Sequence, residues 1–418
     1  MAQKTQYPLL LLLLAILHIA PDPTLEQQHE DKIIGTDLAA LSAIKNSLTD
    51  IPGGTSFFST WDLASPDPCS TFSGITCSLN RVTTLTLGTD LSDSPGLAGT
   101  LSASISNLTQ LTQVVLFPGL VTGPIPPELG QLSNLRVISL TNNRLTGPIP
   151  DSLSSLQNLH TLDLSYNQLT GSTPRGLTRL PQLKVLILAS NRLSGELAEV
   201  STQLLHLDLK GNGLTGPLPK WLPSSLRYLS VSDNLMEGPL NGLESVSNLV
   251  YLDLSMNQFS GAIPASLFRP SLSSMFLQRN NLSGGLPIVD PASSSSSLSY
   301  GAGSILDLSH NLLTGGLSWG ILGAGVESLF LNNNRLMGTV PKEYVERLYL
   351  GNTKTLYLQH NYITGFPLDA SCPLPDSVSL CLSYNCIIPP PVGLTGCPAS
   401  AGAQLSRPIS QCSFFNKG

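Results

Sequence analysis

Four aspartates, Asp163, Asp208, Asp253 and Asp307, recur in one local setting, each between two leucines. Two facing carboxylates are the acid–base pair of glycoside hydrolysis. These four follow a repeat, as consensus positions do, so no pair is singled out. His29, His160, His206, His310 and His360 fall in separate segments, with no nucleophile at a recurring spacing. The run GNGLTG (211–216) matches the glycine spacing of a dinucleotide loop, but it is the turn of a repeated unit rather than a strand-to-helix phosphate loop. The reading is therefore no catalytic residue, no enzyme and no cofactor. Cys372, Cys381, Cys386, Cys397 and Cys412 crowd into 41 residues without a histidine at ligand spacing. That favours disulfides over a metal site. Seven cysteines leave at least one outside intrachain pairing, and the pairing of these five stays open.

Chemistry of another kind, recognition by aromatic rings, depends on which residues share a face. The elements that set those faces are repeats. LRVISLTNNRLTGPIPDSLSSLQN, from Leu135, is followed by LHTLDLSYNQLTGSTPRGLTRLPQ and LKVLILASNRLSGEL. The unit is L-x-x-L-x-L-x-x-N-x-L-x-G. Its asparagines are Asn143, Asn167, Asn191, Asn212, Asn234, Asn257, Asn280, Asn311, Asn334 and Asn361, with Gly119 in that slot before them and Asn385 after. An imperfect first unit puts Asp90 there. Steps from Gly119 onward are 24, 24, 24, 21, 22, 23, 23, 31, 23, 27 and 24 residues. L-x-L is a short strand with both leucines inward. The asparagine amide satisfies backbone groups left open by the turn that follows. One unit cannot bury its own apolar edge, so units stack into a curved solenoid with a parallel sheet on the concave face. Gly-Pro-Ile-Pro (147–150) prevents a regular helix on the outer side. The 31-residue step carries PIVDPASSSSSLSYGAG (287–303), read as a tolerated Ser-rich loop.

Positions two, four and six before each asparagine face outward from the sheet. From Gly119 to Asn212 only Phe117 among them is Phe, Tyr or Trp; from Asn234 to Asn361 there are Tyr228, Tyr251, Phe276, Phe330 and Tyr357. Arg279 and His360 lie beside this stripe. Aromatics and arginine anchor binding interfaces, so these seven residues are the candidate ligand site. The four aspartates occupy the middle outward row and Lys210 is the only basic residue in the outward slots, which disfavours a polyanionic ligand such as pectin and favours a neutral or basic peptide or protein.

The form L-x-G-x-I-P after the asparagine, as in LTGPIP (145–150) and FSGAIP (259–264), resembles the plant-specific leucine-rich repeat of receptor-like kinases, receptor-like proteins and polygalacturonase-inhibiting proteins. SGELAE (194–199) and STP (172–174) depart from it. The resemblance implies an α/β leucine-rich-repeat solenoid capped at both ends. TDLAALSAIKNSL (36–48) has helical spacing with a Thr or Asp to cap it, and WDLASPDPCSTFSGITC (61–77) resembles that family's N-terminal cap. The family pattern pairs Cys69 with Cys77 and often has Trp where Phe72 stands. The expected organisation is a signal peptide over 1–24, an N-terminal cap over 25–80, about eleven to twelve repeats over 81–368, and a Cys-rich cap and tail over 369–418.

Lys4 followed by the apolar run Leu9 to Ala20 has signal-peptide form and is short of the ~20 residues of a membrane span. No later run reaches that length, so no membrane span is expected after cleavage. Asn107-Leu-Thr and Asn281-Leu-Ser are glycosylation sequons of a secreted chain. Charged residues are 11% of the chain, the net charge is -6, and cations do not cluster along the sequence, which excludes nucleic acid. The reading is a secreted protein of the extracellular space or cell wall that recognises a peptide or protein in signalling or defence, with a receptor-kinase ectodomain among its candidate partners. The alternative is a secreted inhibitor of a wall-degrading enzyme, similar to the polygalacturonase inhibitors. A third reading, a wall structural protein, would require basic patches or long proline tracts.

Overall fold

The computed structural model describes residues 33–53, 56–88, 96–269, 271–287, 299–322, 324–368, 373–390, 397, 399 and 405–412. The expected signal peptide, the Asp90 slot, Cys372 and residues 288–298 of the Ser-rich insertion lie outside them. Residues from Ile33 onward form one compact unit.

The alternating leucines make the strands. Val137–Ser139, Thr161–Asp163 and Val185–Ile187 pair in parallel, one per repeat, and the series runs to Ser379–Cys381. This sheet has 14 strands among the described residues; Ile75–Ser78 pairs antiparallel at its start and the others follow in parallel. The leucines flanking each aspartate are fully buried and form one continuous core. Each asparagine ties its own unit to the one before. Asn167 Oδ1 accepts from Leu145 N (3.0 Å), and its Nδ2 donates to Leu140 O (2.8 Å), Leu164 O and Ser165 O. The same bonds recur through Asn385. The residue before each asparagine takes a positive φ, among them Tyr166 (54°), Arg279 (58°) and His360 (61°), which lets the chain leave the sheet in a tight turn.

Three features differ from the sequence reading. The segments after the slots from Gly119 to Asn361 form most of a second sheet, of 13 strands among the described residues, which starts with the antiparallel cap strand Leu48–Asp50 and ends at Tyr362–Gly365, where one sheet was expected. N-x-L-x-G is extended as far as its glycine, and the register L-x-G lets neighbouring units pair there before proline stops them. Outside the sheets the chain makes short 3-10 turns such as Asp151–Ser155, directly after the Gly-Pro-Ile-Pro that was read as preventing a regular helix. Part of the Ser-rich insertion is not loop: Ser299–Asp307 is a nine-residue strand paired with Ala324–Phe330, which widens the concave sheet. The 27-residue step before Asn361 is filled by the α-helix Lys342–Tyr349.

The third difference is in the N-terminal cap. Its helix, Gly35–Ser47, begins after Ile34 with no side-chain cap bond. Asp37, expected as a cap candidate, is fully buried and instead grips Arg81 through Nε and Nη2 (3.1–3.2 Å) and Val82 N (2.9 Å). A buried carboxylate needs such a partner, and here it joins the cap helix to the first strand of the solenoid. Trp61 is fully buried, donates Nε1–H to Ser73 O at 2.9 Å and stacks on Phe72 at 5.1 Å. Cys69 and Cys77 form a disulfide. At the other end Cys381 pairs with Cys397 and Cys386 with Cys412. Tyr384 N donates to Leu405 O and Arg407 N to Asn385 O, both at 2.7 Å, so residues 405–407 occupy the place of a further repeat and cover its open backbone.

Candidate functional site

In-register stacking converts sequence slots into rows. The row six residues before the asparagines runs Val185, His206, Tyr228, Tyr251, Ser274, Ile305, Ser328, Thr355. The row four before runs Asp163, Ile187, Asp208, Ser230, Asp253, Phe276, Asp307, Phe330, Tyr357 and ends at Cys381.

The aromatic stripe divides into two groups. His206, Tyr228 and Tyr251 stand in one row on consecutive units and stack face to face, with centroids 4.0 and 4.4 Å apart and rings parallel within 4°. Tyr251 then meets Phe276 at 5.7 Å and 51°, where the stripe crosses to the next row. Asp307 separates Phe276 from Phe330, and Phe330 meets Tyr357 edge-on at 5.2 Å and 84°. His206 belongs to the ladder, a member that a search for Phe, Tyr and Trp passes over; its place in the row of Tyr228 is the signal that finds it. Both ring faces of Tyr228 are taken by neighbouring rings, and His206 and Tyr251 each give one face to it. Phe276, Phe330 and Tyr357 are half-buried and less covered by other rings.

The aspartate row is not the exposed negative strip expected. Asp163 is 3% exposed and Asp208 6%. Asp163 Oδ1 accepts from Ser165 N (2.9 Å) and Oγ (2.6 Å). Asp208 accepts from Lys210 N (3.1 Å) and pairs with Lys210 Nζ (3.8 Å). Each carboxylate is turned back on the residue two positions ahead, Ser255 for Asp253 and Ser309 for Asp307 in the same way. Burial pushes Asp163 and Asp307 above the usual carboxylate range, and Asp208 up to about 6. Burial, with Lys210 close by, pushes His206 down to about 4. These carboxylates are structural acceptors, and their repulsion toward an anion is weaker than the sequence suggests.

Around Phe330 the next rows are polar. Gln278, Ser309, Asn332 and Gln359 occupy the slots two before their asparagines. Among the described residues, no hydrogen bond reaches the buried Oε1 of Gln278 or of Gln359, and Gln359 is 4% exposed. Such acceptors are costly unless a donor arrives. Arg279 and His310 are exposed at the turn and His360 is half-buried. Asn333 Nδ2 lies 3.4 Å from His310 Nε2, and His360 packs on Tyr384 at 5.2 Å. Arg407 closes the end of this edge, over Tyr362 and Tyr384 at 4.1 and 4.6 Å. The structure thus brings Phe276, Arg279, Phe330, Tyr357 and His360 onto one four-unit surface, bounded by the Cys381–Cys397 bridge, and sets Tyr228 and Tyr251 in the ladder at its other end. Both sequon asparagines, Asn107 and Asn281, are exposed. No helix among the described residues is long and apolar enough to cross a membrane.

Models of the leucine-rich repeat match residues 133–193, 203–224 and 248–269, and that of the leucine-rich-repeat N-terminal domain matches 34–78. Receptor-like protein 35 of Arabidopsis thaliana is 36% identical over 178 residues, which are 40% of this chain and 18% of that protein. The chain therefore spans under a fifth of that curated relative. The Arabidopsis receptor kinase HAESA, solved in complex with the peptide hormone IDA and the co-receptor SERK1, superposes with a TM-score of 0.66 at 27% identity, covering 85% of this chain and 58% of that one. A plant ice-binding protein gives 0.54 at 26% identity, covering 82% of this chain and 100% of that one. The chain is a leucine-rich-repeat protein carrying the N-terminal domain of that repeat class, similar to plant receptor-like proteins.

Proposed function

We propose that this protein acts outside the cell as a recognition module, in signalling or defence, and that the concave surface from Phe276 to Tyr357 captures a peptide or protein ligand. The observation that carries this reading is the four-unit surface itself. It joins the three half-buried rings Phe276, Phe330 and Tyr357 to a rim of Arg279, His310 and His360. The relative solved with a peptide hormone and a co-receptor supports a peptide ligand and a receptor-kinase partner. Secretion by a cleaved leader over 1–24 and glycans on Asn107 and Asn281 belong to the same proposal, as do the domain limits given above.

The test is capture from extracellular fluid and solubilised membranes, with the chain from about residue 25 as bait and identification by mass spectrometry. Changing Phe276, Phe330 and Tyr357 together to Ser is expected to abolish capture of whatever the parent protein retains, while melting shows the fold intact. Unaltered capture overturns the site. Recovery of a secreted polygalacturonase in place of a receptor kinase moves the assignment to the inhibitor reading.

A further inference from the structure

The repeat also creates a row that the linear sequence conceals. The residue seven before each asparagine is Arg136, His160, Lys184, Leu205 and Arg227 in five consecutive units. The backbone locks them in line: His160 N donates to Arg136 O, Lys184 N to His160 O, Leu205 N to Lys184 O and Arg227 N to Leu205 O, all at 2.8–2.9 Å. This row forms the edge of the concave sheet where the strands begin. With ~4.8 Å between strands, Arg136 and Arg227 stand ~19 Å apart along the solenoid.

The cations are unneutralised. Among the described residues, no carboxylate pairs with Arg136, Lys184 or Arg227. Lys184 Nζ reaches only Gln203 Oε1, at 3.3 Å. From Gly119 to Asn257, the five positions six to ten before each slot contain no Asp or Glu in any of the seven units. Arg136 and Arg227 are exposed, and His160 and Lys184 half-buried. His160 donates Nδ1–H to Asn158 O at 2.7 Å, which leaves Nε2 for a ligand. The corresponding edge farther on is neutral, because Lys354 pairs with Glu327 at 3.1 Å.

We propose that this edge binds a linear acidic polysaccharide, a polyuronate lying along the solenoid. Three observations select that class. The cations Arg136, Lys184 and Arg227 stand on alternate strands, ~10 Å apart along the edge, close to the length of two sugar rings, and a polyuronate carries one carboxylate per ring. Beside the cations the edge offers amides and hydroxyls, such as Gln182, Gln203 and Ser225, which suit a hydroxyl-rich chain. Its one apolar member is Leu205, so it lacks the aromatic and apolar centre of a protein interface. This proposal goes beyond the concave site and does not depend on it.

Binding of unesterified polygalacturonate oligomers tests it. The full-length protein is expected to bind them at low salt and to weaken as salt rises, because bound cations release counterions. Combined Arg136→Gln, Lys184→Gln and Arg227→Gln is expected to lower affinity by about tenfold or more. Combined Arg144→Gln, Arg192→Gln and Arg335→Gln removes the same charge from exposed positions just after the asparagines and is expected to leave most of the binding. Unchanged melting of both variants keeps the comparison valid. No binding by the parent protein overturns the proposal, as does equal loss in the two variants. Equal binding of polyglutamate of matched length overturns the polysaccharide assignment.

Discussion

The two aromatic groups on the concave face use similar residues for opposite ends. His206, Tyr228 and Tyr251 fall in one row on consecutive units, so parallel register forces their rings together and Tyr228 has a stacked ring on each face. Phe276, Phe330 and Tyr357 fall in the adjoining row, with Asp307 interposed, and only the last two touch. The difference is placement within the repeat rather than composition. A ring repeated at the strand spacing becomes structure; a ring interrupted by a small or polar residue stays available to a ligand.

The contrast presumes that the scaffold beneath both groups is equally firm, and the largest expected effect tests that. Asn234 lies under the ladder and is 7% exposed; Asn361 lies under the open group and is fully buried. Asn234 serves Leu214 N, Leu209 O, Val231 O and Ser232 O, and Asn361 serves Leu336 N, Leu331 O and Leu358 O. Alanine at either site strands buried backbone groups and should cost about 3 kcal/mol. Urea unfolding of the two variants should give matching losses. A much smaller loss for Asn361→Ala would mean that the open group sits on a looser frame, and the contrast would become one of rigidity.

The ladder should also reveal itself through pH. Asp208, raised to about 6, keeps its proton in the folded state where the unfolded chain sheds it near 4. That contribution to stability is complete below about pH 4 and lost as pH rises through 6. His206, lowered to about 4, stays neutral in the folded state where the unfolded chain protonates near 6.5. Its contribution is complete above about 6.5 and lost as pH falls through 4. The two oppose each other across the same window. Asp208→Asn should therefore lose stability on going from pH 7 to pH 4.5 relative to the parent, and His206→Phe should gain it, each by about 2 kcal/mol. Unfolding midpoints at the two pH values would show parallel shifts in all three proteins if the pair were exposed instead of buried.

The solenoid was legible because one asparagine and four leucines recur with near-constant spacing, and each has a single physical use. The outward rows were legible too, since strand alternation places them. What alternation does not report is what covers a side chain that faces outward. Asp163 and Asp208 face outward and are still buried, each folded back onto the residue two positions ahead, Ser165 and Lys210. The second sheet was missed because N-x-L-x-G carries no alternation of its own; it pairs only because the first sheet holds the units in register. The basic edge was missed for a related reason. Arg136, His160 and Lys184 are a whole repeat apart, 24 residues each, so no window along the chain shows a cluster. Stacking turns that distance into one strand spacing.

The smallest expected effect bears most directly on the division between ladder and open group. Tyr251 is the member that touches both, stacked on Tyr228 at 2° and tilted against Phe276 at 51°. Tyr251→Leu keeps most of the apolar area and loses the ring–ring geometry, a change of about 1 kcal/mol. Burial and the nearby carboxylate of Asp253 push its hydroxyl up to about 12, so it is neutral across the ordinary pH range and a leucine removes no charge. If the ladder is structural, melting falls slightly and ligand capture is kept, whereas Phe330→Leu weakens capture and leaves melting nearly unchanged. Equal loss of capture in the two variants would extend the binding surface over the ladder, and its parallel rings would then be the preformed wall of the site rather than its neighbour.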